Sequence, residues 1–358
     1  MEVGILGLAG SGKTTLFSLL TANADALGGN GRRETAVGMA RVPDQRLERL
    51  SEIFRPRKTT PAVVRYVDVP GIDGERRQDA GLNIPELRSM DALMVVLRAF
   101  HDDAVPHPLG SVDPWRDLER IEEEFVLQDQ MVVERRIERL ETDLARRRAP
   151  ELVAEFELLR RCLSVLEEGR PLRTEEFTTD ERNRLKGFTF LSLKPVLAVV
   201  NVDEGSIGED PFADPAWRRW LDGPAVVGTT VCATLEREIS ELEGEDAAMF
   251  MEDLGIADRA LDRVSRESYR LLGRISVFTV GEDECRAWSI PKATQAVDAA
   301  GVIHSDISRG VTRAEVVPHT ELLVAGSLAA CRDRGTLRLE GKGYPVEDGD
   351  VVHYRFNV

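Results

Sequence analysis

The stretch GLAGSGKTT, residues Gly7 to Thr15, decides how this chain is read. It follows the apolar run EVGIL and precedes LFSLL, so it lies between a strand and a helix. In that setting the spacing Gly7-x-x-x-x-Gly12-Lys13-Thr14 is that of a phosphate-binding loop. Side-chain-free positions let successive backbone N–H groups converge on phosphate oxygens, and the following helix adds its positive end. Ala9, Gly10, Ser11, Gly12, Lys13, Thr14 and Thr15 are the expected nucleotide contacts. Lys13 would reach the β- and γ-phosphates, and the Thr14 hydroxyl would ligate Mg²⁺. The alternative is a glycine-rich turn without a ligand.

Working outward, apolar runs recur at VGIL, PAVVRYVDV, DALMVVLRAF, KPVLAVVN and PAVVGTTVCA, with helical patterns between several of them. Fully apolar strands alternating with helices predict an α/β fold with a mostly parallel sheet covered on both faces. Ligands of such sheets bind at the carboxyl ends of the strands. The run PAVVRYVDV ends in Asp68, whose carboxylate would hold Mg²⁺ through water, and the N–H of Gly71 would meet a γ-phosphate. The alternative there is a plain strand-end turn. Asp-x-x-Gly after a phosphate loop is the pattern of switch NTPases, in which γ-phosphate contact orders the next loop.

GTPases of this class read guanine with Asn-Lys-x-Asp; after KPVLAVV this chain has Asn201-Val202-Asp203-Glu204. Glu204 is one methylene longer than aspartate, and Val202 lacks the lysine stem. A polar base edge left unpaired costs about 1–3 kcal/mol, so adenine is expected over guanine. Asn201, Val202 and Glu204 are the expected base-side residues, with ATP the nucleotide and GTP the alternative. Asn201 acting only as a cap of a strand-to-helix turn is the other reading.

Residues 116–187 break the alternation. WRDLERIEEEFVLQDQMVVERRIERLETDLARRR has apolar residues at three- and four-residue steps and neither Gly nor Pro. Pro150 ends it, and ELVAEFELLRRCLSVLEEG repeats the spacing, which predicts an antiparallel helical arm inserted in the nucleotide-binding domain. That domain is expected over 1–115 and 188–274. From residue 275 to 358 short strand patterns predict a small α+β domain. The four cysteines are far apart, which favours free thiols over disulfides, and no stretch is apolar for the length of a membrane span. A cytoplasmic protein is expected. The formal net charge of −16 disfavours generic nucleic-acid binding, so no direct DNA contact is expected.

VDVPGI, MDALMVVLRAF, NVDE, VCATLEREISELE, VIHSDISRGVTRAEVV and GKGYPVEDGDVVHYRFNV together resemble the YchF/Obg-like ATPase family along nearly the whole chain. The resemblance implies a Ras-like P-loop domain with a coiled-coil arm and a C-terminal TGS domain of β-grasp fold. It also implies slow ATP hydrolysis linked to a ribosome or translation-factor partner through arm and TGS domain. Two departures stand out. Gly10 takes the place of the family's loop asparagine, which puts potassium stimulation in doubt, and the first switch signature is replaced by LGGNGRRETAVGMARV, where Thr35 is an out-of-register candidate for Mg²⁺. Ile72 follows the Asp-x-x-Gly, where Ras-like enzymes have a water-orienting glutamine. The resemblance carries that role to His107 in FHDDAVPHPLG; an exposed loop imidazole is the alternative. Two rival functions fit the loop: a nucleotide-regulated binding module with little hydrolysis, and a small-molecule kinase. Only the kinase leaves VDVPG and NVDE unexplained.

Overall fold

Six strands order the N-terminal part of the protein, and their register explains where its motif-bearing loops meet. The structure is a computed structural model, and it describes residues 2–22, 36–69, 83–147, 149–303 and 311–356. In chain order the elements begin with β1 (Glu2–Leu6), α1 (Lys13–Thr21), β2 (Ala36–Arg41), α2 (Gln45–Phe54), β3 (Lys58–Thr60), β4 (Val63–Asp68), α3 (Ile84–Ser89) and β5 (Ala92–Ala99). The helices α4 (Pro114–Arg146), α5 (Pro150–Glu167) and α6 (Thr179–Leu185) precede β6 (Val196–Val202), α7 (Pro215–Leu221), β7 (Val226–Val231), α8 (Ala233–Glu241), α9 (Gly244–Asp253) and α10 (Ala260–Leu271). The chain closes with β8 (Arg274–Thr279), β9 (Glu284–Pro291), α11 (Ala296–Ile303), β10 (Val311–Pro318), helices His319–Ala325 and Leu328–Asp333, β11 (Arg338–Glu340) and β12 (Asp350–Phe356).

The chain divides into two compact units, residues 1–38 with 65–264, and residues 39–64 with 265–358. The first carries a sheet of order β2-β4-β1-β5-β6-β7, and β1 pairs in parallel with both β4 and β5. Every residue of β6 is buried, as is all of β5 but its last. That two-sided burial is the reason these strands read as unbroken apolar runs. The order reverses across β1, so the carboxyl ends of β1, β4, β5 and β6 gather at the crevice where α/β sheets hold their ligands.

The arm is present as expected. Its first helix, α4, runs 33 residues and opens with Asp113 accepting a hydrogen bond from the Arg116 N–H and with Pro114 in the first turn, two start signals that cost the helix nothing. Leu118, Ile121 and Phe125 join the core of the sheet, whereas Val133, Ile137 and Leu140 pack against Leu159, Cys162 and Leu166 of α5. One buried carboxylate fastens the arm to the chain returning to β6. Asp129 accepts from the N–H of Leu191 and of Ser192 and from the Ser192 hydroxyl, and it forms an ion pair with Arg88 at 3.2 Å. Burial pushes its carboxyl above the usual range, and the Ser192 and Leu191 donors pull it back.

The C-terminal unit has a sheet of order β11-β10-β12-β8-β9-β3. The antiparallel pairs β8–β9 and β10–β12 meet along a central parallel pair, β12 with β8, and α11 covers one face, which is the β-grasp arrangement. One finding departs from the expected domain limits. Residues 39–64, expected in the nucleotide-binding domain, belong to this unit because β3 pairs in parallel with β9 and Arg46 of α2 lies 5.3 Å from the centre of the Phe278 ring. All four cysteines are free and buried.

Removing the Asp129 carboxylate strands two buried N–H groups and the Ser192 hydroxyl, and takes the paired carboxylate from Arg88. Asp129→Ala is expected to cost about 3–5 kcal/mol of unfolding free energy in urea titrations. A loss below about 1 kcal/mol contradicts the fastening role assigned to this carboxylate.

Candidate functional site

The phosphate-loop residues do what their positions require. Gly12 caps α1 at φ +90°, and a Cβ there would stand 2.4 Å from the Asn201 Nδ2, so only glycine fits. Lys13 and Thr14 therefore open the helix, next to its unpaired N–H groups. Thr14 donates its hydroxyl to Asp68 Oδ2 at 3.2 Å, and the Lys13 ammonium stands 3.8 Å from Asp68 Oδ1. That Oδ1 is buried and accepts no hydrogen bond among the described residues. Burial pushes the Asp68 carboxyl up, opposed chiefly by the Lys13 charge. A hydroxyl beside a carboxylate whose other oxygen lacks a donor is a donor set suited to a hard divalent cation, which would complete its shell from water and phosphate. Ala9 and Gly10 are exposed at the tip of the loop.

At the other end lies a cleft of about 500 Å³. It brings together Gly12, Thr15, Asn201, Val202 and Glu204, five of the residues singled out in the sequence. Asn201 is 4% exposed, and its amide is committed on both sides. Nδ2 donates to Ser11 O at 3.2 Å, and Oδ1 accepts from the Ala233 N–H at 3.1 Å. Asn201 is thus more than a turn cap: it ties the phosphate loop to the start of α8 and leaves one amide hydrogen without a partner among the described residues. Glu204 is exposed at the cleft and makes no side-chain hydrogen bond or ion pair among the described residues.

The cleft also has residues that motif reading did not single out as contacts: Phe100, His101, Asp102, Thr234 and Arg237 line it too. Asp203, its neighbour in NVDE, is turned toward the loop after β5, where it accepts from the His101 N–H at 3.3 Å and pairs with the His101 imidazole at 3.5 Å. Arg237 had a legible signal, being one turn into the helix that follows VCAT; the loop after β5 had none beyond its place at a strand end.

His107 is not in the cleft lining, nor is it the exposed imidazole of the alternative reading. Its side chain is 4% exposed. One ring nitrogen, Nε2, lies 2.9 Å from Asp117 Oδ2, and the other, Nδ1, accepts from the Leu109 N–H at 3.1 Å. Those bonds make Nε2 the protonated nitrogen, donating to a carboxylate whose second oxygen is held by Arg116. The imidazole thereby anchors the loop after β5 to the first turn of the arm. Gly71, Ile72 and Thr35 lie outside the described residues.

Comparison with known proteins identifies the family. A family described as YchF-GTPase_C, protein of unknown function (DUF933), matches residues 275–357. The ribosome-binding ATPase YchF of Bacillus subtilis is 41% identical over 371 residues, covering the whole of both chains. That of Haemophilus ducreyi is 38% identical, covering all of this chain and 99% of its own. The solved structure of the Schizosaccharomyces pombe YchF GTPase superposes with a TM-score of 0.84 at 27% identity, covering 99% of this chain and 97% of that one. The chain belongs to the YchF family.

Asn201→Ala removes both bonds of the bridge between the loops while leaving Lys13, Thr14 and Asp68 in place. ATP affinity should fall by about tenfold or more, measured by equilibrium titration with Mg²⁺. An unchanged affinity contradicts the bridging role.

Proposed function

We propose that this YchF-family protein is a switch that binds ATP, hydrolyses it slowly to ADP and phosphate, and works on the ribosome. The observation that carries the reading is the Asn201 amide, which bonds Ser11 of the phosphate loop to Ala233 at the cleft. Phosphate and base would be read by one connected unit. The loop amides from Ala9 to Thr15 and the Lys13 ammonium would hold the phosphates, and the second Asn201 amide hydrogen, Val202 and Glu204 would face the base. Gly71 would sense the γ-phosphate. Thr14 and Asp68 would hold Mg²⁺, whose charge offsets that of the phosphate oxygens when it is bound. The ribosome enters from the names of the full-length relatives, and the helical arm with the TGS domain is the surface offered to it. Such a partner implies the cytoplasm, and among the described residues no helix is long and apolar enough to cross a membrane.

Adenine is preferred because Glu204, one methylene longer than aspartate, and Val202, which lacks the lysine stem, fit guanine poorly. Equilibrium binding of ATP and GTP with Mg²⁺ to the wild type and to Glu204→Asp tests this. Tight ATP binding with weak GTP binding, and a shift toward GTP in the variant, is the expected result. A GTP preference in the wild type overturns the choice of nucleotide, and binding of neither overturns the switch.

Hydrolysis should be slow as the protein stands, since His107 orients water only after its imidazole leaves Asp117. Single-turnover rates of the wild type, Asp117→Asn, His107→Ala and the double variant check this. Asp117→Asn should hydrolyse faster than the wild type, and the gain should vanish in the double variant. Equal rates in all four would leave His107 as an anchor for the arm and nothing more.

A further inference from the structure

Arg98 is an arginine inside an otherwise apolar strand, and it is 3% exposed. Its guanidinium pairs with no carboxylate among the described residues. Instead it donates to three backbone carbonyls of the loop that follows: Nε to Phe100 O at 3.1 Å, Nη2 to Asp102 O at 3.1 Å, and Nη1 to Val105 O at 2.7 Å. The Phe100 ring lies beneath the same guanidinium, 4.6 Å from ring centre to Cζ. Burying a cation against neutral acceptors is costly, and it persists only where the surrounding geometry requires it. Here the planar fork supplies that geometry, since one rigid group fixes three points of a short loop.

That loop forms one wall of the cleft through Phe100, His101 and Asp102. It also touches the phosphate loop. At Gly10, where φ is +75°, a Cβ would stand 2.9 Å from Val105 Cγ1 and 3.4 Å from Arg98 Nη1. At Gly12 it would stand 4.0 Å from the Phe100 ring. The close fit over Gly10 gives a physical reason for glycine at this position, because a side chain would push Val105 off its seat.

We propose that Arg98 is a positioning residue of the nucleotide site, holding the Phe100–Asp102 wall against the phosphate loop. The inference rests on the reading that the cleft takes a nucleotide. Three of its five N–H groups are spent on carbonyls and the residue is 3% exposed, so Arg98 acts through the wall. Lysine keeps the charge but lacks the fork, and methionine keeps the bulk without either.

The test is equilibrium titration of ATP and ADP with Mg²⁺ into the wild type, Arg98→Lys and Arg98→Met, at a temperature well below each melting midpoint. Both variants should bind both nucleotides about tenfold more weakly, since the wall would contact the part that ATP and ADP share. Affinities within about twofold of the wild type, with only the melting temperature lowered, make Arg98 a stabilising residue and overturn the inference. A loss confined to ATP overturns it too, because it locates the effect at the γ-phosphate. If neither variant folds, hydrogen exchange of the wild type decides: saturating ATP should slow the amides of residues 101–105, and unchanged exchange there overturns the inference. A wild type that binds neither nucleotide fails the underlying reading instead.

Discussion

One side-chain amide holds the nucleotide-facing unit to its purpose. Asn201 stands at the end of a fully buried strand, where its register beside Arg98 on β5 and Val231 on β7 is set by parallel ladders on both sides. From there it reaches Ser11 on one side and Ala233 on the other. A buried amide is tolerated only when its polar atoms are paired, and the pairing is what draws two loops from distant strands together. Gly12 follows from the same constraint, since the amide occupies the space a side chain would need. The start of α1, and with it Lys13 and Thr14, is then fixed in relation to Asp68.

A second set of contacts runs along the segment from Arg98 to Asp117. Arg98 shapes its first part beneath the cleft, and the His107–Asp117 pair fastens its end to the root of the arm. Residues that line the cleft and residues that begin the arm are therefore joined by about twenty residues of chain bound at both ends by charged or polar groups. The cleft wall and the root of the arm are thus joined by one continuous, anchored segment.

Local patterns carried most of the fold into view. The phosphate loop is legible because its chemistry needs a fixed spacing, and the arm because burying one face of a long helix imposes a period. Asp68 and NVDE were legible as strand ends. Residues 39–64 were not: the three residues of β3, Lys58-Thr59-Thr60, have no apolar pattern and acquire their place only by pairing with β9, more than two hundred residues away. The partner of His107 was hidden for a related reason, since Asp117 looks like one acid among many on a charged helix until folding buries it. Arg98 did leave a trace. A lone charge inside DALMVVLRAF is an expensive exception to its surroundings, and such exceptions point to groups that organise their neighbours.

The central claim is that the phosphate loop and the cleft are one nucleotide site. The most direct measurement is a crystal structure of the protein with Mg²⁺ and a non-hydrolysable ATP analogue. The account predicts the triphosphate on the amides of residues 9–15, the ion at Thr14 and Asp68, and the adenine in the cleft between the Phe100 wall and Glu204. An analogue bound elsewhere, or phosphates in place with the base outside the cleft, would contradict it.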